Sequence, residues 1–225
     1  MCFFSLHGEL LKTRIRVLVR TAALISVEWG ALSACVYAAA PAEEPFSYPG
    51  SLLAARSTYT VSPATPVVLG NTEVVLEQSR LMDVAAITSA PVYSEGSGEN
   101  ARRWLCVQAN NGKRPLKLWF IASGQDTVTE AQMQPGSFQT PKACGSLSPH
   151  FEPVYLSGIA SGMTIRAVSN EIGPASHKDA NGWHFWVSLR SYTYDKTRYT
   201  EYVWVGAHAD KKGVIDNVFT TQLTR

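Results

Sequence analysis

"WHFWVSLRSYTYDKTRYTEYVWV", residues 183–205, gathers eight of the chain's 23 Phe, Trp and Tyr residues into one short stretch. Apolar and polar residues alternate on both sides of "DKTR" (195–198), the pattern of two half-buried antiparallel strands joined by a turn. Because alternate residues of a strand share a face, Trp183, Phe185, Val187 and Leu189 point one way. His184, Trp186, Ser188, Arg190, Tyr192 and Tyr194 point the other way. In the return strand Val203, Val205 and Ala207 form an aliphatic row, with Tyr202, Trp204, Gly206 and His208 opposite it. A turn centred near Thr197 sets Tyr192 beside Tyr202, Arg190 beside Trp204 and Trp186 beside His208. The even-numbered residues of both strands then make one aromatic, polar face, and the aliphatic face turns to the core.

Moving outward, a third alternating segment follows at residues 214–223, after a "DKKG" turn. A short helix precedes the hairpin in "GMTIRAVSNEIGP" (162–174). Thr164 is placed to cap it, Ile165, Val168 and Ile172 supply its apolar side, and Gly173 and Pro174 stop it. The same order of elements recurs upstream. "SRLMDVAAITSAP" (79–91) stands in the helical position, and "RRWLCVQA" (102–109), "LKLWFIAS" (116–123) and "TVTEAQMQ" (127–134) stand in the strand positions. "VVLGNTEVVLEQ" (67–78) and "PVYLSGI" (153–159) supply a further strand before each helix.

The capped helix followed by a Trp-led strand and a hairpin resembles the repeat unit of the β-lactamase-inhibitor-protein fold. The same unit occurs in the small outer-membrane lipoprotein domain of the β-barrel assembly machinery. The resemblance covers residues 162–223 and, more thinly, 67–135. It implies an α+β fold of two tandem repeats, each a short helical segment packed on a small antiparallel sheet, and function through protein binding. The inhibitor proteins tend to carry a disulfide in each repeat, where this chain has a cysteine pair in the first alone, so inhibition itself is not carried over.

The expected organisation is a leader at 1–40, a linker or irregular arm at 41–64, a first repeat at 65–148 and a second at 149–225. The leader joins a basic "KTRIRVLVR" (12–20) to an apolar "TAALISVEWGALSACVYAAA" (21–40), the plan of an export signal. Two exits compete. "LSAC" (32–35) resembles a lipobox, with Cys35 as the lipidated residue, while "VYA" (36–38) suits a signal peptidase that releases a soluble protein. Either route expects the periplasm or outer membrane, with membrane attachment only through a lipid anchor. The formal charge of +2 resides in that leader, through Lys12, Arg14, Arg16 and Arg20 against Glu9 and Glu28, and residues 41–225 balance at zero. A nucleic-acid partner therefore lacks the electrostatic term that dominates such affinity.

Outside the leader only Cys106 and Cys144 remain, and an oxidising compartment makes them a disulfide pair. Such a bond closes a loop of about 38 residues and contributes about 3–4 kcal/mol in the chain-entropy model. The competing reading, a catalytic thiol, requires a positioned histidine, and the nearest candidate is His150.

Convergent catalytic groups are not evident in the sequence. "GIASG" (158–162) is out of phase for a nucleophile elbow, and "GPASHKDANGW" (173–183) leads into a strand where a phosphate cradle leads into a helix. His184 and His208 fall on one expected face but lack a third ligand, so neither metal nor cofactor is expected. The expected function is a non-catalytic, protein-binding module of the cell envelope. Its contacts are Trp186, Arg190, Tyr192, Tyr202 and Trp204, flanked by His184 and His208, because Trp, Tyr and Arg dominate binding hot spots. Inhibition of a periplasmic enzyme and hydrolysis of cell-wall material are the alternatives. The rings also have a purely structural use, as cross-strand pairs of roughly 0.2–1 kcal/mol each.

Overall fold

The computed structural model describes residues 42–55, 66–112, 114–137 and 143–225. The leader, with Cys35 and both cleavage sites, lies outside the described residues, as do residues 41 and 56–64 of the expected linker. No helix among the described residues is long and apolar enough to cross a membrane.

Strands dominate. In chain order the elements are β1 (Val67–Leu69), β2 (Thr72–Val74), α1 (Leu81–Thr88), β3 (Val92–Glu95), β4 (Arg102–Asn111), β5 (Arg114–Ser123), β6 (Glu130–Pro135), β7 (Gly145–Ser146), β8 (Val154–Leu156), α2 (Ile165–Ile172), β9 (His177–Lys178), β10 (Trp183–Tyr194), β11 (Thr197–Ala209) and β12 (Ile215–Thr224). Eight of the strands run in the order β3-β4-β5-β6-β12-β11-β10-β9, and β7 pairs with β4 to make nine in this sheet. A second sheet has the order β2-β1-β8.

This topology corrects the expected fold class. The chain is not a tandem of helix-on-sheet repeats but a mostly β protein with large antiparallel sheets and two short helices. The decisive pairing is β6 with β12, from Val218 opposite Met133 to Thr221 opposite Glu130. It joins the strands expected in separate repeats into one sheet. Two separate three-stranded sheets would each leave a long strand edge unsatisfied, and fusing them supplies partners for those backbone groups. The small sheet also crosses the expected boundary, since β1 pairs with β8.

The helices are short, and their ends follow from their sequences. Thr164 accepts the Ala167 N–H at 3.2 Å, capping α2, and Gly173 ends it with a φ of 88° that favours glycine. No side chain caps α1. Both helices and the small sheet cover the front face of the large sheet. There Leu81, Val84 and Val168 meet Leu105, Leu118, Phe120, Met133, Val203, Val205 and Val218 in one buried core.

The back face holds the other rows of the same strands. Trp104, Cys106 and Trp119 form one cluster there, and Phe185, Val187 and Phe219 another. Cys106 and Cys144 lie at disulfide distance, their Cα atoms 4.6 Å apart. Residues 42–55 run across this face as a strap. Trp104 and Trp119 both donate their indole N–H groups to the Glu43 carbonyl, at 3.2 and 3.0 Å. Gln132 donates to the Phe46 carbonyl at 3.1 Å, and the Phe46 ring packs between Trp119 and Trp183.

Candidate interaction surface

Asp195 and Lys196 decide the geometry of the hairpin. Both adopt left-handed backbone, with φ of 45° and 65°, so β10 and β11 are joined by a two-residue loop of the primed type whose twist matches the flanking strands. Tyr194 then faces Thr197, Tyr192 faces Tyr199, Arg190 faces Glu201, and Trp183 faces His208. Relative to a turn centred on Thr197 this pairing changes by an odd number of residues. Because side chains alternate, such a change carries the whole return strand to the opposite face.

The expected aromatic face is therefore divided. Trp186 points into the front core with 0% exposure and donates its indole N–H to the Gly173 carbonyl at 2.9 Å, so it seats the end of α2 on the sheet. Tyr202 and Trp204 lie on the back face, stacked at 5.5 Å with their planes 7° apart. Arg190 and Tyr192 stay together on the front, beyond the edge of the core. The Arg190 guanidinium pairs with Glu201 at 2.8 Å and lies 5.3 Å from the Tyr192 ring centre, and Tyr192 stacks on Tyr199 at 5.6 Å.

The two histidines are also separated. His184 is on the front face, where partial burial pushes its imidazole below the ordinary value, and the Lys178 charge acts in the same sense against the opposing Asp179. His208 is on the back face, with Nδ1 2.5 Å from Asp216 and Nε2 2.9 Å from the Asn181 carbonyl. Facing opposite ways, they cannot share an ion. No group of three His, Cys, Asp or Glu side chains among the described residues is placed to hold a metal.

The sequence reading missed an open polar cleft of about 530 Å³ beside the hairpin, lined in part by Glu77, Arg190, Tyr192, Glu201, Gln222 and Thr224. Glu77, in left-handed backbone at φ 60°, reaches from the loop after β2 to the far end of β12. Its carboxylate accepts the Thr224 N–H at 2.7 Å, the Thr224 hydroxyl at 2.5 Å and the Gln222 amide at 3.1 Å. No local signal announces this contact, because Glu77 and Thr224 are 147 residues apart. Both carboxylates of the cleft are engaged by neighbouring donors. What the surface offers a partner is rigid ring area, the Arg190 charge and polar side chains. No family model, curated protein or solved structure matches the chain.

Proposed function

We propose that the protein is an exported, non-catalytic protein-binding module, and that it engages its partner through the projecting end of the β10–β11 hairpin. One observation carries this reading. Of the six large hydrophobic side chains that stand exposed among the described residues, Tyr192 at 38% and Tyr194 at 72% fall together on the front face at the end of β10, and Leu189 at 42% stands on the back of the same strand. Single exposed apolar residues are ordinary, but a contiguous group marks a contact surface. Arg190 and Tyr199 adjoin them on the front face, and Tyr and Arg are residues that carry binding energy at the centres of interfaces. Export is supported by the basic and apolar pattern of residues 12–40.

Affinity capture from periplasmic and membrane extracts tests the proposal, comparing the wild-type chain with a Tyr192→Ala, Tyr194→Ala double variant of unchanged circular dichroism. The expected outcome is a protein retained by the wild type and lost by the variant, with direct binding to the purified partner weakened to match. Equal capture by both chains overturns the assignment of binding to this end of the hairpin.

A further inference from the structure

The outer edge of β10 is open over most of its length. Its neighbour β9 pairs with it only at His184 and Phe185. Around that point the Trp183 and Phe185 carbonyls accept from the N–H groups of Asp179 and Ser176, so the odd-numbered residues of β10 turn their backbone groups outward. With the alternation of an antiparallel strand, Leu189, Ser191 and Thr193 also present N–H and C=O groups to that side. No described residue hydrogen-bonds to those groups, and the stretch from Leu189 to Tyr194 is exposed throughout. The usual protections of an edge strand are proline, lysine, a bulge or a covering element. Residues 187–194 contain no proline and no lysine, their one charged side chain, Arg190, is paired with Glu201, and their pairing with β11 shows no bulge. The opposite edge of the sheet, β3, is only four residues long and ends at Glu95.

We propose that this edge binds a second copy of the chain, β10 against β10 in antiparallel array about a twofold axis at Ser191. Charge and ladder geometry select that register. An axis at Arg190 would set the two guanidinium groups directly opposite each other, and like charges in that position repel. An axis at Tyr192 would pair Ser191 with Thr193 but leave Leu189 opposite the turn residue Asp195. With the axis at Ser191, Leu189 pairs with Thr193 of the other copy and Ser191 with itself, so each outward backbone group from Leu189 to Thr193 has a partner. Arg190 then faces Tyr192 across the interface, the same cation and ring that already lie together within the strand. The contact is narrow, and the dimer is accordingly weak, with dissociation roughly in the range of tens to hundreds of micromolar. The inference concerns the strand edge and does not rest on the tyrosine surface proposed above.

Sedimentation velocity over a concentration series is the first test, supported by cysteine cross-linking. The wild-type chain is expected to move from monomer to dimer mass as concentration rises. Ser191→Pro removes the outward N–H and breaks no backbone bond to β11, losing only the exposed hydroxyl contact with Thr200 at 3.4 Å, and Ser191→Lys puts two ammonium groups face to face; both are expected to stay monomeric with unchanged circular dichroism. Ser191→Cys is expected to form a self-cross-linked peptide, identified by mass spectrometry, because paired residues at the axis lie within disulfide reach. A wild-type chain that stays monomeric at several times those concentrations overturns the proposal, as does a dimer unaffected by both Ser191→Pro and Ser191→Lys. A different protein that binds the monomeric wild type and is lost with Ser191→Pro also overturns it, by assigning the edge to another occupant. Tyr192 and Tyr194 are intact in Ser191→Lys, so failure here is separable from failure of the hairpin surface.

Discussion

Two residues of the hairpin that look equivalent in sequence have opposite physical roles. Trp186 and Tyr194 are both aromatic and share a face of β10, yet one is fully buried with its N–H on the Gly173 carbonyl and the other is 72% exposed. Trp186→Ala is expected to cost about 3–5 kcal/mol, by removing a large buried ring and leaving a cavity under the end of α2. Tyr194→Ala is expected to fall within about 0.5 kcal/mol of wild type. Urea unfolding of the two variants checks both, and equal losses would contradict the placement of Trp186 in the core. Loss of binding in a Trp186 variant therefore reports loss of fold. Gly206 makes a similar point from the return strand. A Cβ there would lie 2.2 Å from the Phe219 ring, so the absence of a side chain lets that ring cross the back face.

At the scale of elements, the turn governs what the strands can present. Asp195 tolerates left-handed backbone through its short polar side chain, but Lys196 at φ 65° has no such help. Lys196→Gly is expected to stabilise the protein by up to about 1 kcal/mol, the relieved strain being partly offset by the greater freedom of glycine in the unfolded chain. Higher urea midpoints and slower amide exchange at Tyr194 and Thr197 would show it; a destabilised variant would argue against the two-residue loop. This turn also explains what was legible in the sequence. The extents of β10, β11 and β12, the capped α2 and the cysteine pair could all be read, because each rests on a local pattern or on a residue count. Register could not, because alternation survives a slip between strands while the identity of the outward face does not. Arg190 and Tyr192 share a face because they lie two apart in one strand, whereas the face of Tyr202 and Trp204 relative to them depends on the turn. Nor could the pairing of β6 with β12 be read, since strands far apart in sequence carry no mutual mark.

At the scale of the whole molecule, the strap over the back face has the character of core rather than of linker. Phe46, Tyr48 and Leu52 pack against Trp183, Trp204 and Phe219, Lys117 pairs with Glu43, and Ser51 donates to Asp179 at 2.5 Å. Cleavage before Cys35 or after Ala38 would leave all of these residues attached. Tyr48 supplies the test of how firmly the strap is held. Its hydroxyl donates to Glu130 at 2.5 Å. Burial, followed by the Glu130 charge and that hydrogen bond, pushes the hydroxyl well above its ordinary value of 10.0. A folded-state value above the unfolded one means that the folded form keeps its proton while the unfolded form loses it. The stability contributed is therefore complete below pH 10 and declines as pH rises toward the folded value. Tyr48→Phe is expected to cost about 1–2 kcal/mol at neutral pH, where it leaves Glu130 without this donor. Above pH 10 that deficit should shrink, because the wild type alone carries the penalty of keeping the phenol protonated. Parallel denaturant titrations at neutral pH and above pH 10 check the sign: a deficit that stays constant or grows with pH would show that the Tyr48 hydroxyl does not hold the strap to the sheet.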